Sequence, residues 1–100
     1  MRIDFHFRHF HPSEELIDHV NSRFEKLDKH QRKSVHAEVV FSYQKKSKRV
    51  DVTLKGAHLN LHAHAESEDF FSGIDMVAEK LIRQMERHKA KQRESRRKVS

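Results

Sequence analysis

Residues 35–65 read VHAEVVFSYQKKSKRVDVTLKGAHLNLHAHA. Three runs in this stretch alternate: Val35, Ala37, Val39, Phe41 and Tyr43, then Val50, Val52 and Leu54, then Leu59, Leu61, Ala63 and Ala65. A period of two sends every apolar residue of a run to the same side of a strand. The polar segment Gln44-Lys45-Lys46-Ser47-Lys48-Arg49 and the glycine at Gly56 separate the runs as turns. The stretch is therefore an antiparallel three-stranded meander with one apolar face, and that face needs a cover.

The cover lies on either side in the sequence. Upstream, Ile3, Phe5 and Phe7 alternate with Arg2, Asp4, His6 and Arg8, which gives a further strand. Pro12-Ser13-Glu14-Glu15 then opens a helix, with Ser13 as N-cap and two acids at the positive end of the helix dipole. Leu16, Ile17, Val20, Phe24 and Leu27 continue it at helical spacing to about Arg32. Downstream, from about Glu68, a longer helix carries Phe70, Phe71, Ile74, Val77, Ala78, Leu81, Ile82 and Met85 on one stripe, with Gly73 its only interior weak point.

The predicted fold class is α+β in the order β-α-β-β-β-α: a four-stranded sheet with two helices packed on one face. The right-handed crossover rule makes the first strand parallel to its partner, most simply the second. One domain spans residues 1–93, and residues 94–100 form a basic tail without apolar periodicity, expected to be disordered. One hundred residues support a single modest core. The absence of cysteine excludes a disulfide frame, a thiolate nucleophile and a thiolate zinc knot. The charged N-terminus and the lack of a long apolar run predict a cytoplasmic chain without a signal peptide or membrane span.

Charge is distributed unevenly. Residues 80–100 hold nine Lys or Arg against Glu86 and Glu94, a net of +7, whereas residues 1–79 hold twelve bases and thirteen acids, a net of −1. On a helical wheel Lys80, Arg83, Gln84, Arg87 and Lys91 fall on one flank of the second helix, and Asp75, Glu79 and Glu86 on the other. The first helix sorts in the same sense, with His19, Arg23, Lys26, Lys29, His30 and Lys33 on its basic flank and Glu14, Asp18, Glu25 and Asp28 on the acidic one. Solvated helix faces, or pairing of one helix's acids with the other's bases, would account for either helix alone. Sorting on both, with the basic loop Lys45, Lys46, Lys48 and Arg49, points to a polyanion. A membrane is the poorer partner, because the apolar stripe of the second helix already covers the sheet. No groove reader or aromatic stacking platform is evident, which leaves backbone and shape recognition of structured RNA.

The segment AESEDFFSGIDMVAEKLIRQMERHKAK (Ala65–Lys91) resembles the ribosome hibernation-promoting factors, also called ribosome-associated inhibitors, in their short form. The motifs are Ala65-Glu66 at the last strand's end, Asp69-Phe70-Phe71 opening the helix, Ile74-Asp75, Lys80-Leu81-Ile82-Arg83-Gln84 and the basic Arg87-His88-Lys89. The similarity extends to SEELIDHVNSRFEKLDKH in the first helix and to Asp51–Leu54, and it covers residues 1 to about 92. It implies a fold akin to double-stranded RNA-binding domains and a non-enzymatic role. The implied partners are the small ribosomal subunit and its ribosomal RNA, bound in the channel of mRNA and the A- and P-site tRNAs, with translation inhibited in stationary phase or under stress. Ribosomal proteins and a separate ribosome-dimerising factor are further implied partners. No small-molecule substrate and no cofactor are expected. Carried over by position, the rRNA-binding residues are Arg23, Lys26, Lys80, Arg83, Arg87, His88, Lys89 and Lys91, with Lys29 and the 45–49 loop as lesser candidates. Phe71 stands where the family usually has Tyr, and is expected in the core.

Two other readings concern different chemistry. The alternative binding function is a module for double-stranded or structured RNA acting outside the ribosome. An RNA-cleaving enzyme would need a fixed acid-base pair and a phosphate-cradling glycine loop, and the chain has only Gly56 and Gly73. Ten histidines are unusual in a hundred residues. His62 and His64 share the solvent face of a strand, with His6 on the same surface and His58 at its edge. The expectation is no metal, with His62 and His64 as weak candidates, because a site needs a third ligand and outer-shell support. His19, His30 and His88 lie on or beside the basic flanks, so RNA affinity is expected to rise on modest acidification.

Overall fold

The computed structural model describes residues 1–29 and 35–99, with side chains up to residue 90. The element order is β1 (Arg2–Phe7), α1 (Glu14–Lys29), β2 (His36–Tyr43), β3 (Lys48–Gly56), β4 (Leu59–Ser67) and α2 (Phe70–Val99). One sheet holds the strands in the order β1-β2-β3-β4. β1 is parallel to β2, and the other two pairs are antiparallel. The β-α-β-β-β-α order, the meander and the parallel first strand all agree with the sequence reading.

Register converts the alternation into three apolar rows across the sheet. Phe7, Phe41, Val50 and Ala65 form one row, Phe5, Val39, Val52 and Ala63 the next, and Ile3, Ala37, Leu54 and Leu61 the third. In the first two rows bulk therefore falls from phenylalanine on β1 to alanine on β4. Where side chains are small, a helix can come close to the strands. α2 packs directly on β3 and β4, whereas α1 packs on α2 and stands farther from the sheet backbone. Leu16, Val20, Phe24 and Leu27 of α1 and Phe70, Ile74, Val77, Ala78, Leu81 and Met85 of α2 close the core. No polar or charged side chain is buried among the described residues.

Gly73, a weakness on helix propensity alone, sits at the closest approach. It is buried, and a Cβ there would stand 3.0 Å from Val50 Cγ2. Both helix starts are capped. Ser13 Oγ accepts from the Leu16 amide (3.3 Å), and Asp69 accepts from the Ser72 amide (2.8 Å) and hydroxyl (3.1 Å). These bonds hold the Asp69 carboxyl below the usual carboxylate range, helped by a further amide and the Lys48 charge. A carboxylate held low contributes stability above its unfolded pKa and loses it as pH falls through the lower folded value, so this cap fails on the acid side.

Three expectations change. Phe71 is 39% exposed rather than in the core, because its helical position a residue past buried Phe70 turns it towards α1, where it meets His19 edge-on at 5.2 Å. The backbone of α2 is helical through Val99, where the sequence suggested an unstructured tail from residue 94. No Gly or Pro follows Gly73, and Lys, Arg, Gln and Glu are good helix formers even without an apolar stripe. The turn after β2 is shorter than expected, since Lys48 and Arg49 already belong to β3. The end of the first helix at Arg32 lies outside the described residues.

Gly73→Leu tests the close seat of α2: it should destabilise the domain by about 1–3 kcal/mol through overpacking against Val50, read from the urea midpoint with the far-ultraviolet circular dichroism of the folded state retained.

Candidate nucleic-acid interface

Both helices follow strands that run the same way, since β1 is parallel to β2 and β4 is antiparallel to β3, itself antiparallel to β2. The two helices are therefore parallel neighbours on one face. Charges sorted in the same sense on parallel neighbours cannot both face outward: the basic flank of one must meet the acidic flank of the other. That contact is present. Arg23 Nε lies 2.8 Å from Asp75 Oδ1, and His19 Nε2 lies 2.8 Å from the same oxygen. Arg23, expected among the rRNA-binding residues, is thus half spent on an inter-helix pair.

The opposite flank of α2 overhangs the open edge of β4. Lys80 Nζ donates to the His64 carbonyl at 2.7 Å, and Gln84 Nε2 donates to the His62 carbonyl at 3.0 Å. Residues four apart on a helix advance about 6 Å, close to the roughly 6.8 Å of two residues on a strand. The spacing therefore lets α2 satisfy two edge carbonyls and block edge pairing. This role of Lys80 and Gln84 was not visible on a wheel, and only the matched spacings hint at it.

Beyond these tethers, Arg83 and Arg87 are exposed and have no ion-pair partner among the described residues. Lys26 and Lys29 on the last turns of α1 are also exposed and unpaired there. His88 and Lys89 are half-buried where α2 leaves the core after Met85. The side chain of Lys91, with residues His30 and Lys33, lies outside the described residues. Among the loop bases, Lys45 and Lys46 are exposed, whereas Lys48 is half-buried with its ammonium 5.9 Å from the Tyr43 ring and 5.8 Å from that of Phe70. Arg49 is held by Asp51 (2.9 Å) and Glu66 (3.5 Å), and these acids raise its pKa further, with the Asp51 hydrogen bond the largest cause. The sequence loop of four bases thus contributes two free ones.

The model of the family described as sigma 54 modulation protein / S30EA ribosomal protein matches residues 3–93. The chain belongs to this family. Among curated relatives, the ribosome hibernation promoting factor of Pseudomonas putida is 30% identical over 92% of this chain and 90% of its own length. That of Escherichia coli K12 is 33% identical over 79% of this chain and 83% of its own. The ribosome hibernation promotion factor of Bacillus subtilis is 35% identical, but the match covers only 42% of that protein. The fold is shared with the N-terminal domain of Thermus thermophilus Protein Y (TM-score 0.81, 24% identity, 88% of this chain and 99% of that one). A ribosomal subunit interface protein from Coxiella burnetii is alike to the same degree (TM-score 0.80, 24% identity, 90% and 99%). Membership in the family rests on most of the chain, including both helices and the charge-bearing flank.

The inter-helix pair is tested by a double-mutant cycle. Arg23→Ala and Asp75→Ala should couple by about 0.2–1 kcal/mol, measured by denaturant unfolding, with the coupling shrinking at high salt.

Proposed function

We propose that this protein is a ribosome hibernation factor that binds the small ribosomal subunit through the outer flank of α2 and the end of α1, and so inhibits translation. The observation that carries the reading is the set Lys26, Lys29, Arg83 and Arg87: exposed, unpaired within the described fold, and presented by two helices of a family whose relatives carry the hibernation name. Bases a turn apart on a rigid helix suit successive phosphates of folded RNA, and arginine adds a bidentate fork. Lys80 contributes with the ammonium hydrogens its carbonyl tether leaves over, and His88 and Lys89 continue the surface along α2. Arg23 contributes less, because Asp75 already neutralises it.

The binding site we infer is the channel of mRNA and the A- and P-site tRNAs, occupied in the cytoplasm during stress or stationary phase, when blocking it holds the ribosome idle. Such a factor acts by occupancy and needs no catalytic group. No described helix is long and apolar enough to cross a membrane. The apolar stripe of α2 is spent on the sheet through Ile74, Val77 and Leu81, leaving its polar flank for a partner.

The test is sedimentation with purified small subunits. Wild-type protein should travel with the particle and dissociate steeply as salt rises. Lys26→Glu with Arg83→Glu and Arg87→Glu should abolish co-sedimentation, while neutralising the same three to Ala should lower the salt slope by about three. Stability should move by less than about 0.5 kcal/mol, because the side chains are exposed. Wild-type protein that binds free structured RNA but stays at the top of the gradient would favour a module acting outside the ribosome.

A further inference from the structure

The open face of the sheet, opposite the helices, holds a constellation that the RNA-binding reading does not use. His62 and His64 are two residues apart on β4, so both rings stand on that face, their centroids 6.2 Å apart. Across the ladder Asp51 of β3 is the register partner of His64. One ligand atom from each of Asp51, His62 and His64 lies within 4.8 Å of the others. From these residues we propose a zinc-class metal site, made by two imidazoles and one carboxylate on adjacent strands.

Several features separate this cluster from chance surface histidines. Zinc–nitrogen and zinc–oxygen bonds are each about 2.0–2.2 Å, so neighbouring donors of a tetrahedral ion are about 3.4 Å apart. His62 Nε2 and Asp51 Oδ1 are 3.7 Å apart, which a small side-chain adjustment closes. His62 also has the outer-shell partner that a ligating imidazole requires: its Nδ1 lies 3.1 Å from Thr53 Oγ1. With Nε2 on a metal, Nδ1 carries the proton and donates it to Thr53, which fixes ring orientation and tautomer. Arg49 donates to both Asp51 oxygens, at 2.9 Å and 3.0 Å, and so locks the carboxylate plane. A carboxylate offers about four acceptor positions, and this fork takes two, leaving Oδ1 with a lone pair for an ion.

The strand bearing the histidines is itself anchored, since the carbonyls of His62 and His64 accept from Gln84 and Lys80. Ligands therefore project from paired, tethered backbone rather than from a loop. The donor set selects the ion class. Two imidazoles favour zinc and its transition-metal neighbours over magnesium or calcium, which take oxygen. Three protein donors leave a position for water.

The test uses the untagged 100-residue chain, with Zn²⁺ in calorimetry, Co²⁺ in visible absorption, and nitrogen-15 spectra of the histidine rings. One ion per chain is expected, with ring-nitrogen shifts at His62 and His64 and none at the other eight histidines. His64→Ala should weaken binding at least about 100-fold, and Thr53→Val about tenfold, through loss of the outer-shell bond. Circular dichroism should be unchanged in both, and the Co²⁺ absorption of Thr53→Val should shift in position rather than vanish. No stoichiometric binding, undiminished affinity in a His62→Ala/His64→Ala variant, or ring shifts at other histidines would each overturn the proposal.

Discussion

The close seat of α2 on β3 and β4 is the constraint from which the rest of the molecule follows. It is possible because two apolar rows shrink from Phe5 and Phe7 on β1 to Ala63 and Ala65 on β4, and because Gly73 lets the helix meet Val50 without a Cβ between them. A sheet with one apolar face can bury that face once. With α2 committed to the β4 side, α1 takes the remaining ground, over the bulkier residues of the β1 side, and packs on α2. The chain direction of the strands then makes the helices parallel.

Parallel helices decide what the sorted charges do. The basic flank of α1 faces the acidic flank of α2, and Asp75 takes both Arg23 and His19. The basic flank of α2 is left on the outside, above the β4 edge, where Lys80 and Gln84 close two open carbonyls and Arg83 and Arg87 stay in solvent. Charge that looked like two equivalent stripes becomes an internal pair and an external surface. The external surface suits a polyanionic partner, and the same tethers hold the strand on which His62 and His64 project from the opposite face.

Much of this was legible from local pattern. Alternation located all four strands, the capping residues located Ser13 correctly, and the crossover rule set β1 parallel to β2. What escaped depends on distance between residues remote in sequence. A helical wheel treats each helix alone, so it could not show that Arg23 points at Asp75, 52 positions later. It also ranks Phe70 and Phe71 together, although only the first lies over the sheet. Strand register brings Asp51 opposite His64 and Thr53 opposite His62, which supplies the third ligand and outer-shell partner that two histidines alone lacked. Lys48 and Arg49 are held in part by residues remote in sequence, Phe70 at the start of α2 and Glu66 on β4, beside the nearer Tyr43 and Asp51.

In the proposed function the outer flank of α2 and the end of α1, rather than the open sheet face, meet the ribosome. Lysine and arginine labelling of the protein bound to small subunits, read by mass spectrometry against free protein, measures this directly. Protection of Lys26, Lys29, Arg83 and Arg87, with Lys55 and Arg2 on the strands still reactive, is the predicted result. Protection of Lys55 and Arg2 with the helix residues still reactive would put the open sheet face, not the helices, against the ribosome.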